Sequence, residues 1–81
     1  MNDQKLQETI TELTLLLISL TAWREKILGD DITQSWKRYD FHVLDELKEK
    51  GYISGSKGSK LVTLTDEGMR KVEELKKRYL N

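Results

Sequence analysis

Residues 40–68 constrain the fold more tightly than any other part of the chain. Asp40 is a good N-cap for an apolar-periodic run, and Gly51, behind Lys48 and Lys50, is placed to stop it in a left-handed turn. Tyr52-Ile53-Ser54 and Leu61-Val62-Thr63-Leu64 are short β-prone runs on either side of Gly55-Ser56-Lys57-Gly58-Ser59-Lys60, a hairpin signature. Thr65 then caps a last helix whose first turn carries Asp66 and Glu67, favourable against the helix dipole. Met69, Val72, Leu75 and Tyr79 form its stripe. The order is helix, strand, basic tip, strand, helix.

The first half reads as helical. Leu6, Ile10, Leu13, Leu16, Leu17, Leu20, Trp23 and Ile27 follow the i, i+3, i+4 rule, which predicts one helix over about 3–28 with this face inward. Thr11, Leu15, Ile18 and Ala22 fall on its opposite side. Gly29 can end this helix, and Asp31 or Thr33 can cap a second over about 32–38 with Ile32, Trp36 and Tyr39 inward. The third helix, about 41–50, would point Phe41, Leu44 and Leu47 to the core. One or two residues near Ile32 can add a short third strand to the hairpin. The expectation is a mainly α fold with a small β-hairpin (α+β), residues 1–81 forming one domain. Its competitor is a plain four-helix bundle with 52–64 as a loop.

Leu44-Asp45-Glu46-Leu47-Lys48-Glu49-Lys50-Gly51-Tyr52-Ile53, the basic hairpin and Leu64-Thr65-Asp66-Glu67-Gly68 resemble the recognition helix, wing and following helix of bacterial winged-helix regulators. The types resembled are the multiple-antibiotic-resistance and phenolic-acid-repressor regulators. The resemblance covers roughly residues 31–80. It implies a winged helix-turn-helix, three helices, a wing at 52–64 and a fourth helix over about 66–79, and with it DNA binding. Trp36-Lys37-Arg38-Tyr39-Asp40-Phe41 leading into Val43-Leu44-Asp45-Glu46-Leu47 is also similar to the hallmark of a family of small uncharacterised prokaryotic domains, which implies no activity. The chain lacks the long extra helices of the regulators. Its third helix would show His42, Asp45, Glu46 and Glu49 outward, where a DNA-reading helix carries Arg, Asn or Gln.

Charge is balanced, 14 basic against 14 acidic side chains, which argues against indiscriminate polyanion binding. Nine of the basic residues nevertheless lie in 41–81, so a local basic patch is the form a nucleic-acid site would take. Lys57 and Lys60 in the hairpin tip are its first candidates, with Lys50, Arg70 and Lys71 behind them. The bland reading of the tip is a solvated turn kept soluble by lysine, and of the last helix a solvated face laced with ion pairs. The tip is not a P-loop, because a strand follows it rather than a helix.

Cysteine is absent, which fits a reducing cytosol, and no apolar run approaches the ~18 residues of a membrane span. His42 is the single histidine and has no second histidine or cysteine to complete a metal site. With no nucleophile paired to it, the chain reads as a non-enzyme without cofactor, metal or small-molecule ligand. Trp23, Trp36, Tyr39 and Phe41 could stack bases, but in so small a chain they read first as core.

Two functions stay open. One is a DNA-binding transcriptional regulator using the wing lysines. The other is a protein-interaction module with an acidic third helix and an apolar first helix. The doubly apolar first helix also predicts self-association: one face packs inward, and Thr11, Leu15, Ile18 and Ala22 would pair with a second copy as a homodimer, unless the last helix folds back over that face through Val72, Leu75 and Tyr79 and leaves a monomer.

Overall fold

After Leu20 the chain leaves the helix, seven residues earlier than its apolar spacing suggests. The computed structural model describes residues 3–27, 29–36, 39–55 and 60–80. Helix α1 spans Asp3–Leu20. Its last turn tightens, with Thr21 N–H donating to Leu17 O and Ala22 N–H to Ser19 O, and the chain then extends. Strand β1 (Trp23–Ile27) and strand β2 (Asp30–Trp36) follow, paired antiparallel from Trp23↔Gln34 to Ile27↔Asp30. Gly29, at φ 86°, lies in the tight connection between them, where a hairpin turn demands a left-handed residue.

This corrects the expected architecture. Residues 32–36, expected in a helix over 32–38, are strand, the first helix expected to 28 ends at Leu20, and the chain is not a winged helix-turn-helix. The described residues form three helices and a four-stranded antiparallel sheet, ordered β1-β2-β4-β3. The physical reason is a degenerate spacing. Trp23 and Ile27, like Ile32 and Trp36, stand four residues apart, which puts them on one face of a helix or of a strand alike. Long-range pairing decides it: β2 finds a strand partner on each side, β1 and β4, and the β-branched Ile32 and Thr33 suit a strand.

Helix α2 (Phe41–Glu49), the strands β3 (Ile53–Ser54) and β4 (Leu61–Leu64) and helix α3 (Asp66–Tyr79) fall where the sequence places a helix, a hairpin and a helix. Asp40 Oδ1 accepts from His42 and Val43 N–H at the start of α2. At its end Tyr52 N–H donates to Leu47 O and Gly51 N–H to Lys48 O, a Schellman closure that needs the φ of 80° at Gly51. The short strand expected near Ile32 is the seven-residue β2, which pairs with β4 from Thr33↔Leu64 to Trp36↔Leu61. β3 completes the sheet through Ile53↔Leu64.

One cluster holds the interior: Leu15, Leu16 and Ile18 of α1, Val43, Leu44 and Leu47 of α2, Ile53, Val62 and Leu64 of the sheet, and Val72 and Leu75 of α3. The three helices therefore cover one face of the sheet in a two-layer arrangement. Two orientations differ from expectation. Phe41 is 71% exposed rather than core, Val43 taking its place. In α1 the faces are exchanged. Thr11, Leu15 and Ile18, expected at a dimer interface, are internal core at 3%, 1% and 0% exposure, and Ala22 is half-buried. The wider face points away from the sheet.

Polar complementarity explains the exchange. On the inward side the Thr11 hydroxyl lies 2.9 Å from both the Gln7 carbonyl oxygen and Glu46 Oε2 of α2, with one proton to donate between them. Beside it Glu12 is met from α3 by Arg78 at 2.6 Å and by the Tyr79 hydroxyl at 2.9 Å. The polar groups of this face find partners on both neighbouring helices, so burying it leaves nothing unpaired.

Candidate interaction surface

Five aliphatic side chains of α1 remain open to solvent: Leu6, Ile10, Leu13, Leu17 and Leu20, each 40–55% exposed. Their spacing is 4-3-4-3 along an 18-residue helix. That is the heptad seam, with Ile10 and Leu17 at the a positions and Leu6, Leu13 and Leu20 at the d positions. The core residues Thr11, Leu15 and Ile18 sit near the opposite side of the same helix, so α1 is apolar twice over.

The positions flanking the seam along α1 carry no charge. Gln7, Thr14 and Thr21 flank it on one side, Thr9 and Leu16 on the other. Each flanking threonine turns its hydroxyl back to its own helix: Thr9 to Lys5 O, Thr14 to Ile10 O and Thr21 to Leu17 O, at 3.0, 2.7 and 2.9 Å. The rim thus satisfies its own donors and presents methyl groups outward. Exposed apolar patches rimmed by polar residues commonly mark interaction sites. At its edge Ile10 shares an open cleft of about 400 Å³ with Gln7 and with Asp40, His42, Val43 and Glu46 of the α2 N-terminus.

The residues singled out for nucleic acid are dispersed by comparison. Lys57 lies outside the described residues. Lys60 is exposed at the foot of β4, and Arg70 is exposed on α3. Lys50 and Lys71 do line one cleft of about 210 Å³ with Tyr52, but Glu8 and Glu12 line it too. Glu46 lies 3.8 Å from Lys50, and Glu74 lies 3.4 Å from Lys71. Asp45 and Glu49 are exposed on α2. Of the aromatic candidates, Tyr39 packs against the core, Trp23 is half-buried and the Trp36 side chain is outside what is described. Among the described residues no cluster of His, Cys, Asp or Glu could hold a metal ion, and no helix is long and apolar enough to cross a membrane.

The Glu12 contact makes the α1–α3 junction pH-sensitive. Burial alone would raise its carboxyl, but hydrogen bonds from Tyr79 and Arg78 and the charges of Arg78 and Lys71 outweigh that and hold it below its ordinary value. A carboxyl lowered by folding stabilises fully above its unfolded value, about 4.3, and the contribution fades as pH falls through the folded one. Urea melts from pH 7 to pH 3 should therefore show wild type more stable than Glu12→Gln at neutral pH, the two converging at the acid end. A gap that stays constant would show that the Glu12 charge plays no part.

The signal the sequence offered for this surface was its strict 4-3 repeat with neutral borders, which distinguishes a helix-pairing seam from a broad core face. A family model described as "Domain of unknown function (DUF6429)" matches residues 6–81. The chain is 36% identical over 73 residues to "Uncharacterized protein y4hR" of Sinorhizobium fredii (strain NBRC 101917 / NGR234), a span covering 89% of each. No solved structure matches. These matches agree with the similarity to small uncharacterised domains, and neither is to a winged-helix regulator.

Proposed function

The chain belongs to this family of unknown function, and we propose that it is a protein-interaction module whose working surface is the exposed heptad seam of α1. Its partner is an amphipathic helix with aliphatic residues at matching spacing. The observation behind this reading is that α1 keeps five aliphatics in solvent after supplying a complete second face to the core. In a chain this small, which buries only about 60% of its unfolded surface, that is a large apolar area to leave unused. Interface cores are depleted of charge, as this seam and its borders are.

A DNA-binding reading is weaker on the same geometry. Of its candidate cations Lys50 and Lys71 sit beside carboxylates, and α2 exposes Asp45 and Glu49. A titration separates the two. A fluorescent amphipathic helix with leucines at 4-3 spacing should bind wild type and lose binding to Leu13→Glu/Leu17→Glu, while that variant keeps a folded spectrum. Mixed-sequence duplex DNA should give no salt-sensitive shift, although a genuine phosphate site would release about 0.9 counterion for each phosphate neutralised. A double variant that unfolds would place the seam inside the protein's own packing and end the interaction reading. Salt-steep DNA binding weakened by Lys50 and Lys60 reversal would replace it.

A further inference from the structure

Building on the interaction reading, we infer that the helix this seam takes is α1 of a second copy of the same chain, the two seams packing across a twofold axis. A twofold interface places the same patch on both subunits, so any charge bordering the patch meets a like charge or must be offset. Here Gln7, Thr9, Thr14, Leu16 and Thr21 border the seam, and none is charged. The threonine hydroxyls are already satisfied within the helix, so pairing strands no donor. The nearest charges, Asp3 one turn before Leu6 and Asp40 and Glu46 across the Ile10 cleft, lie at the end and edge of the seam, so its five aliphatics can meet their copies without a like charge between them.

Composition agrees. Ile10 and Leu17 at the a positions with Leu6, Leu13 and Leu20 at the d positions make an all-aliphatic seam that can interdigitate with its own copy. The chain's net charge is zero, so two copies meet without long-range repulsion. The cleft of about 400 Å³ beside Ile10 offers a recess at the border of the seam for a side chain of the second copy. The paired surface is the reverse of the Thr11–Leu15–Ile18 stripe, which the core already occupies.

Sedimentation equilibrium between 5 and 200 µM tests the inference. Wild type should move from monomer to dimer across that range, Leu13→Glu should shift the midpoint at least tenfold upward, and Leu13→Glu/Leu17→Glu should stay monomeric and folded throughout. Because the chain has no cysteine, Leu13→Cys gives an independent check: oxidation should yield a covalent dimer with a wild-type spectrum. A wild-type monomer at 200 µM that still binds the fluorescent helix would overturn self-pairing and leave the interaction reading standing. A monomer that binds no helix would remove both. A dimer unaffected by the double variant would place the twofold contact elsewhere and overturn the inference.

Discussion

Ile18→Glu should prevent folding, whereas Leu17→Glu, its immediate neighbour, should leave the monomer intact. Ile18 is 0% exposed at the meeting of α1 with the core, and Leu17 is 48% exposed on the seam. A glutamate at 18 loses the apolar transfer energy of the isoleucine, about 1.5–3 kcal/mol. It also places in the interior a carboxylate with no partner, which costs about 3–5 kcal/mol more. A chain of this length has only about 4–12 kcal/mol of total stability, so the variant falls at or below the folding threshold. At position 17 the added charge stands in water. Helical signal and urea melts at low micromolar concentration, where association does not contribute, read the difference. A folded Ile18→Glu beside an unfolded Leu17→Glu would mean that α1 presents its faces the other way round.

That pair of variants also marks where sequence reasoning misplaced the interior. Both faces of α1 were legible as apolar, and that one of them must remain uncovered follows from 3.6-residue periodicity. Which one was not legible from apolarity, because the wider stripe was also the more hydrophobic. Thr11 and Glu12 decide it through Glu46, Arg78 and Tyr79, residues 35 to 67 positions away along the chain. Long-range polar pairing of this kind leaves no local pattern.

The hairpin of β1 and β2 was hidden for a different reason. Trp23 and Ile27, and again Ile32 and Trp36, satisfy the helical and the strand period together, and the 4-3 run of α1 carries the helical reading straight through Leu20. Gly29 was legible as a left-handed residue, but a helix end and a two-residue hairpin turn both require one. Elements whose boundary residues act locally were read from sequence alone. Asp40, Gly51 and Thr65 fix the ends of α2 and the start of α3 through hydrogen bonds within a few residues. The seam was visible as residues and invisible as a surface, since its exposure depends on where the other face goes.

The junction where those local signals meet gives the second large effect: Gly68→Ala should destabilise the protein by about 3 kcal/mol or more. In an open helix the same change would help, by up to about 1 kcal/mol from helix propensity and unfolded-chain entropy. Gly68 is not open. It is buried in the first turn of α3 directly against the chain at Tyr52, and a Cβ there would be driven into the Tyr52 carbonyl oxygen and crowd Leu64. Overpacking typically costs about 1–3 kcal/mol, with side chains giving way; here the obstructing atoms belong to backbone. Nor can that backbone move cheaply. Tyr52 O accepts from Thr65 N–H at 3.0 Å, Thr65 Oγ1 donates to Gly51 O at 2.5 Å, and Thr65 Oγ1 also accepts from Gly68 N–H at 3.0 Å. Shifting Tyr52 to admit a methyl group therefore strains the end of α2, the entry to β3 and the cap of α3 together. Urea denaturation should show a lowered midpoint with an unchanged slope, and amide exchange at Thr65 and Gly68 should quicken more than at Leu15. A Gly68→Ala protein as stable as wild type would show that α3 stands further from Tyr52 in solution, and that the glycine is there for a reason other than close approach.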